Sequence, residues 1–251
     1  LVDQISVLKK QGIEVILVSS GAVAAGKTLV QLSKQKEREV SRQIYSAVGQ
    51  PKLMNIYTEY FSSHNIVCAQ VLATREDFSS TMENYKNMKN CLYGLLEEGI
   101  IPIVNENDTV ATEELKVGDN DNLAALVALV SEADSLFILS DVDGVFEQDP
   151  RINPQAKLIP EIAKIDDSVY ALAGATNNHI ATGGMTTKIQ AAEKAVENGI
   201  ETYILNGSRG EVFEQLLSGD NPGTHFIAQQ GATRARKHWL KHTLKSNGKV
   251  M

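Results

Sequence analysis

Five polar clusters in this chain combine residue types that could bind or move charge, and each lies against an apolar run. The densest, NENDTVATEELKVGDNDN at residues 105–122, gathers Asp108, Asp119 and Asp121 among side-chain amides. Asn and Asp together can accept from an ammonium and donate to a carboxylate, as recognition of an amino acid demands. Spacing excludes a calcium loop. Counted from Asp119 the fifth residue is Leu123 and the sixth Ala124, where an EF-hand needs an oxygen ligand and a glycine. The spacing fails from Asp141 as well, and no residue is assigned to a protein-held metal.

A second cluster, TGGMTTK, spans residues 182–188 and runs into IQAAEKAVENG. Paired glycines let the backbone approach an anion, and the start of a helix supplies free N–H groups. Lys188 in that first turn could reach a transferring phosphoryl group; a cation there opposes the helix dipole, which implies an anionic partner. SDVDG at residues 140–144 and NGSRG at residues 206–210 follow two further apolar runs.

The fifth cluster, SSGAVAAGKT, contains the phosphate-loop spacing G-x-x-x-x-G-K-[ST] over residues 21–28. Two readings stand. In one, consecutive N–H groups curl around phosphates with Lys27 upon them, and LFILSD supplies the strand and Asp that hold magnesium. In the other, Ser19 or Ser20 caps a helix beginning near Gly21, whose N–H groups would take a carboxylate as readily as a phosphate. Ala22, Val23, Ala24 and Ala25 suit a helical turn and resist the positive φ that a phosphate loop requires.

Elements must position these clusters. Apolar runs that suit buried parallel strands occur at Val15–Val18, Ile66–Leu72, Ile101–Val104, Leu136–Leu139 and Thr202–Leu205. Helical patterns lie between most of them, such as NMKNCLYGLLEEG, with Met88, Cys91, Leu92, Leu95 and Leu96 on one face. This alternation predicts an α/β fold, a mostly parallel sheet covered on both sides, with ligands beyond the carboxyl ends of the strands.

The chain has 251 residues, of which 43% are hydrophobic and 22% charged, an ordinary globular balance without a membrane-length apolar run. Cys68 and Cys91, in apolar surroundings without metal-ligand spacing, are expected to be reduced core thiols of a cytoplasmic protein. The net charge is −7, and residues 231–251 carry six basic residues and no acid, so residues 1–230 carry −13. An acidic body argues against nucleic acid as the main ligand, and the basic tail is read as a solvated helix. A stripe of Leu1, Val2, Ile5 and Leu8 opens the chain without a capping residue ahead of it, so both ends are expected to be cut.

Taken together, ILVSSGAVAAGK, GQPKLM, AQVLATREDF, IPIVNENDTVATEELKVGDNDNLAALVA, ADSLFILSDVDGVFEQDPR and TGGMTTKIQAAEKA resemble the amino acid kinase family over residues 1–230. The NEND and GDND blocks resemble the branch that acts on glutamate. The resemblance implies a three-layer α-β-α sandwich and ATP-dependent phosphorylation of the L-glutamate γ-carboxylate, the first step of proline synthesis, with Mg²⁺ as cofactor. Ser20, Asp108 and Asn120 would bind glutamate. Ser140, Asp141, Thr182, Gly183, Gly184, Met185, Thr186, Thr187 and Lys188 would bind ATP. Lys188 would stabilise the moving phosphoryl group, and Asp121 would orient the catalytic lysines. The family also implies a homodimer or tetramer, and handover of product to glutamate 5-phosphate reductase.

Two departures accompany the resemblance. The family's opening strand with its K-x-G-[ST] block is missing, so the chain as it stands is expected to be nearly inactive. Ala181 stands where a glycine usually precedes TGGM. The tail at residues 231–251 resembles the entry to an RNA-binding-type PUA domain.

Overall fold

A computed structural model describes residues 1–33, 37–79, 81–111, 120–174 and 184–229. They fall into two compact units, Leu1–Leu123 and the chain from Ala124 onward. The first unit contains α1 (Val2–Lys10), β1 (Leu17–Val18), α2 (Ala22–Leu29), α3 (Arg38–Ser62), β2 (Cys68–Ala73), α4 (Arg75–Ser79), α5 (Met82–Glu97), β3 (Ile101–Glu106) and the start of α6 (Asn120–Val130). The second contains the rest of α6, then β4 (Ser135–Ser140), β5 (Glu161–Ile162), α7 (Asp167–Leu172), α8 (Met185–Val196), β6 (Glu201–Asn206), α9 (Val212–Ser218) and β7 (Thr224–Phe226).

In the first unit the strands pair in parallel in the order β1-β3-β2. Leu17 lies opposite Ile103, and Cys68 opposite Ile101. As the central strand, β3 is buried along its whole length, including the polar Asn105 and Glu106 at its carboxyl end. Ile5 of α1 and Phe61 of α3 pack on Ile101 and Ile103. Fully burying side chains of this size stabilises by about 1.5–3 kcal/mol each. Local signals set the boundaries of α5: the Thr81 hydroxyl accepts from Asn84 N–H at its start, and Gly99 takes φ +72° just beyond its end.

The helices α2 and α3 cross at two glycines. A Cβ on Gly26 would overlap the Tyr45 carbonyl, and one on Gly49 would overlap the Ala22 carbonyl. The backbones therefore approach to a distance that only glycine permits at these positions.

In the second unit the order is β4-β6-β7-β5. The strands β4 and β6 run parallel in register from Ser135↔Glu201 to Ser140↔Asn206, whereas β7 runs antiparallel to β6. The helix α8 buries Ile189, Ala191, Ala192, Ala195 and Val196, packed into a core with Ile138, Ile204 and Phe226. All five expected strands form, at bounds shifted by a residue or two. The short β5 and β7 carried no periodic signal. A buried hydroxyl fixes β7 in place: Thr224 Oγ1 accepts from Val145 N–H at 2.8 Å and donates to Ile159 O at 2.7 Å.

One expectation about the core is corrected. Both cysteines are free thiols, and the half-buried Cys68 of β2 packs against the core of the first unit, but Cys91 is exposed because the inward stripe of α5 runs through Tyr85 and Leu92. The segment at residues 231–251, read as the entry to a further domain, lies outside the described residues.

Candidate functional site

Each unit presents polar side chains at the carboxyl ends of its parallel strands, where ligands of α/β sheets sit. In the first unit Ser19, Ser20 and Gly21 follow β1, and Gly21 adopts φ +113° as the residue preceding α2. This settles the reading of GAVAAGKT. Ala22–Leu29 is helical from its first alanine, so Lys27 lies in the last turn, not at an anion-facing start. A cation in the last turn complements the helix dipole, and Lys27 Nζ sits 5.9 Å from the centroid of the Tyr45 ring. Gly21 serves a left-handed turn, Gly26 serves the contact with α3, and Thr28 receives Lys52 Nζ at 2.8 Å. The phosphate-loop alternative is thereby corrected. The expected serine cap is corrected too, since α2 has no side-chain cap and the Ser19 hydroxyl instead pairs with Tyr57 Oη at 2.7 Å.

A chain of side-chain amides, buried at its centre, runs along this edge. Asn120, the first residue of α6, donates through Nδ2 to Ser19 O at 2.9 Å and to Asn105 Oδ1 at 3.2 Å. Asn105 in turn donates to Gln50 Oε1 at 2.9 Å, and Gln50 donates to Gln70 Oε1 at 3.1 Å. Asn105 and Gln50 are buried. Both N–H donors of Asn120 are thus engaged within the protein, and no donor among the described residues is paired with its Oδ1.

Asp108, two residues beyond β3, is buried and held by a cation. Arg42 of α3 reaches its Oδ1 with Nε at 2.9 Å and Nη2 at 2.6 Å, and Nη2 lies 3.6 Å from Glu106 Oε2. Asp121 is half-buried in the first turn of α6, with Asn122 buried beside it. The first unit thus gathers Ser20, Asp108 and Asn120 at one carboxyl edge. Asp119 lies outside the described residues.

In the second unit the loops after β4 and β6 meet. Gly207 N–H donates to Ser140 O at 2.8 Å. Asp143 accepts from Asn206 Nδ2 on one oxygen at 2.8 Å and from Arg209 Nη2 on the other at 2.7 Å. The SDVDG and NGSRG clusters are therefore one clasp. Within it Ser140 donates to Asp141 Oδ1 at 3.2 Å, and Asp141 is exposed.

The helix α8 begins at Met185 after Gly184, whose φ of +73° and ψ of −144° suit glycine alone. Its 12 residues span about 18 Å at 1.5 Å each, close to the length of six-residue β6. A short turn joins the end of α8 to the start of β6, and the helix packs on both β6 and β4. Its N-terminus is therefore level with the carboxyl ends of those strands. Thr186 and Thr187 are buried, Thr187 donates to Gly184 O at 3.0 Å, and Lys188 is half-buried in the first turn. Thr182 and Gly183, expected to bind ATP, lie outside the described residues, as does Ala181.

The DPR part of EQDPR builds a turn of its own. Arg151 gives Asp149 a backbone N–H at 2.9 Å and side-chain bonds at 3.0 and 2.9 Å, which hold the Asp149 carboxyl below its ordinary range. Sequence reasoning did not single out Arg42, Gln50, Asn105, Asp143 or Arg209 as site residues. Gln50 and Asn105 stood in quoted blocks, but nothing in a one-dimensional pattern pairs residues 55 positions apart.

The sequence profile of the amino acid kinase family matches residues 1–206. Glutamate 5-kinase of Idiomarina loihiensis is 49% identical over 97% of this chain and 64% of its own length. Glutamate 5-kinase 1 of Pseudoalteromonas translucida is 45% identical over 97% of this chain and 65% of its own length. The chain thus spans just under two thirds of these curated relatives. Among solved structures, isopentenyl phosphate kinase in complex with its substrate covers 90% of each chain at a TM-score of 0.58 and 16% identity, a likeness of fold.

Proposed function

The chain belongs to the amino acid kinase family, and from that premise we propose that it forms the kinase part of a glutamate 5-kinase, transferring the γ-phosphoryl group of ATP to the γ-carboxylate of L-glutamate. The observation that carries the choice of substrate is the 49% identity to a protein of that name over 97% of the chain. The first unit's edge supports it chemically. Asn120 Oδ1 and the carboxylate of Asp108 are acceptors suited to an α-ammonium, and the uncapped start of α2 beside Ser20 offers N–H groups to a carboxylate.

In the reaction a γ-carboxylate oxygen attacks the terminal phosphorus, a new O–P bond forms, and the bond to the bridging oxygen breaks to release ADP. The nucleophile is already ionised, so no strong general base is required. Catalysis rests on alignment and on neutralising developing charge. Lys188, at the N-terminus of α8, is the residue proposed to stabilise the transferring group, with the buried hydroxyls of Thr186 and Thr187 and the backbone of Gly184 and Met185 toward the phosphates. Ser140 and Asp141 are assigned to the nucleotide, and Asp121 to orienting the catalytic lysines. Mg²⁺ takes oxygen ligands, largely from ATP phosphates and water, and the exposed Asp141 is an oxygen ligand of the right type to hold it. When bound, the ion would neutralise phosphate charge. Assembly as a homodimer or tetramer, handover of product to glutamate 5-phosphate reductase and a cytoplasmic location complete the proposal. Among the described residues no helix is long and apolar enough to cross a membrane.

The test is the substrate dependence of ATP turnover by the purified protein at its full natural length. ADP release should require L-glutamate and be indifferent to L-aspartate. Turnover with another amino acid and none with glutamate would overturn the proposal.

A further inference from the structure

One charged side chain at the first edge has no assigned role. Arg42 projects from the first turns of α3, in a stretch, EREVSRQ, that reads as an ordinary solvated helix start. Its guanidinium nevertheless sits on buried carboxylates, with two nitrogens on Asp108 Oδ1 and one of them 3.6 Å from Glu106 Oε2. The side chain of Asp108 is 8% exposed and that of Glu106 is 5% exposed, and polar groups buried to this extent need partners within the protein. The neighbouring Gln43 donates to Thr109 O at 3.3 Å, so successive residues of α3 grip the segment that carries Asp108.

The geometry is asymmetric. Both Arg42 nitrogens converge on Oδ1, and among the described residues no donor is paired with Asp108 Oδ2. Resting on the reading that Asp108 receives the substrate, we propose that Arg42 is a positioning residue that saturates one oxygen of Asp108 and presents the other to the substrate's α-ammonium. A lysine could supply the charge but not the planar fork that engages Oδ1 with two nitrogens while reaching toward Glu106.

The experiment compares the wild type, Arg42→Lys and Arg42→Met at full natural length, by steady-state kinetics and by calorimetric binding of L-glutamate and of glutarate, which lacks the ammonium. Arg42→Met should raise KM and Kd for L-glutamate by about tenfold or more, corresponding to about 1.4 kcal/mol. The kcat at saturating glutamate and the KM for ATP should stay within about twofold of the wild type. Arg42→Lys should recover part of the loss. The preference for L-glutamate over glutarate should shrink in Arg42→Met, which general loosening of the fold would not produce. An unchanged KM for glutamate, an unchanged preference, or equal losses toward both ligands would overturn the role of Arg42. Absence of glutamate-dependent turnover and binding in the wild type would instead overturn the reading of Asp108 on which it rests. If Arg42→Met fails to fold, Arg42→Lys decides alone: a selective rise in KM for L-glutamate supports the role and wild-type kinetics refute it.

Discussion

The two carboxyl edges use the same grammar of strand, turn and helix but are finished with different materials. The edge of the first unit rests on side chains, a run of amides from the exposed Gln70 through the buried Gln50 and Asn105 to the half-buried Asn120, beside a buried carboxylate gripped by Arg42. The edge of the second unit is finished mostly by loops and backbone, with the Asp143 clasp, Gly184 and the start of α8. The contrast suits the ligands proposed for them. A small amino acid is told apart by individual acceptors fixed from behind, whereas phosphates are held by N–H groups that any sequence can supply once a glycine admits the turn.

The largest test of this contrast is Lys188→Ala. It should lower kcat by about 100-fold or more, with little change in KM for glutamate, as expected for a group that acts on developing charge. A matching rise in KM for glutamate would erase the division between the edges. Next, Gly49→Ala should force α3 off α2 and destabilise the protein by about 3 kcal/mol in urea denaturation, because the added methyl meets the Ala22 carbonyl backbone. Removing a buried amide from that run is expected to cost somewhat less. Asn105→Ala should cost about 2 kcal/mol and weaken glutamate binding more than ATP binding, since it strands Gln50 and frees Asn120 to turn.

A smaller effect is expected away from either edge. Tyr170 of α7 donates to Glu193 of α8 at 2.6 Å, and partial burial together with that carboxylate raises the phenol above its ordinary pKa. Folding thus favours the protonated phenol, so its contribution is complete below about pH 10 and fades as pH rises through the folded value. Tyr170→Phe should cost about 1.5 kcal/mol at neutral pH and flatten the alkaline limb of the stability profile. The smallest effect is assigned to Lys27→Ala. ATP affinity should stay within about twofold, and a loss of ATP binding would revive the phosphate loop that the position of Lys27 in α2 argues against.

The strands were legible from their short apolar runs, and β3 most of all, because a strand buried on both faces such as Ile101–Val104 must be continuously apolar. The helix starting at Ala22 was legible from the residues that resist positive φ, although the serine cap was not what opened it. The strands β5 and β7 were not legible, being two and three residues long and pinned by the Thr224 hydroxyl.

By itself the sequence determined the α/β alternation, the polar clusters that follow the strands, and the blocks that place the chain in its family, because each depends on local composition and order. Only tertiary structure decided what those residues touch. Arg42 meets Asp108 across 66 positions, Asn120 meets Ser19 across 101, and Asp143 meets Arg209 across 66. Such pairs are set by which strand ends lie side by side and which helix packs over them, and that neighbourhood has no one-dimensional signature.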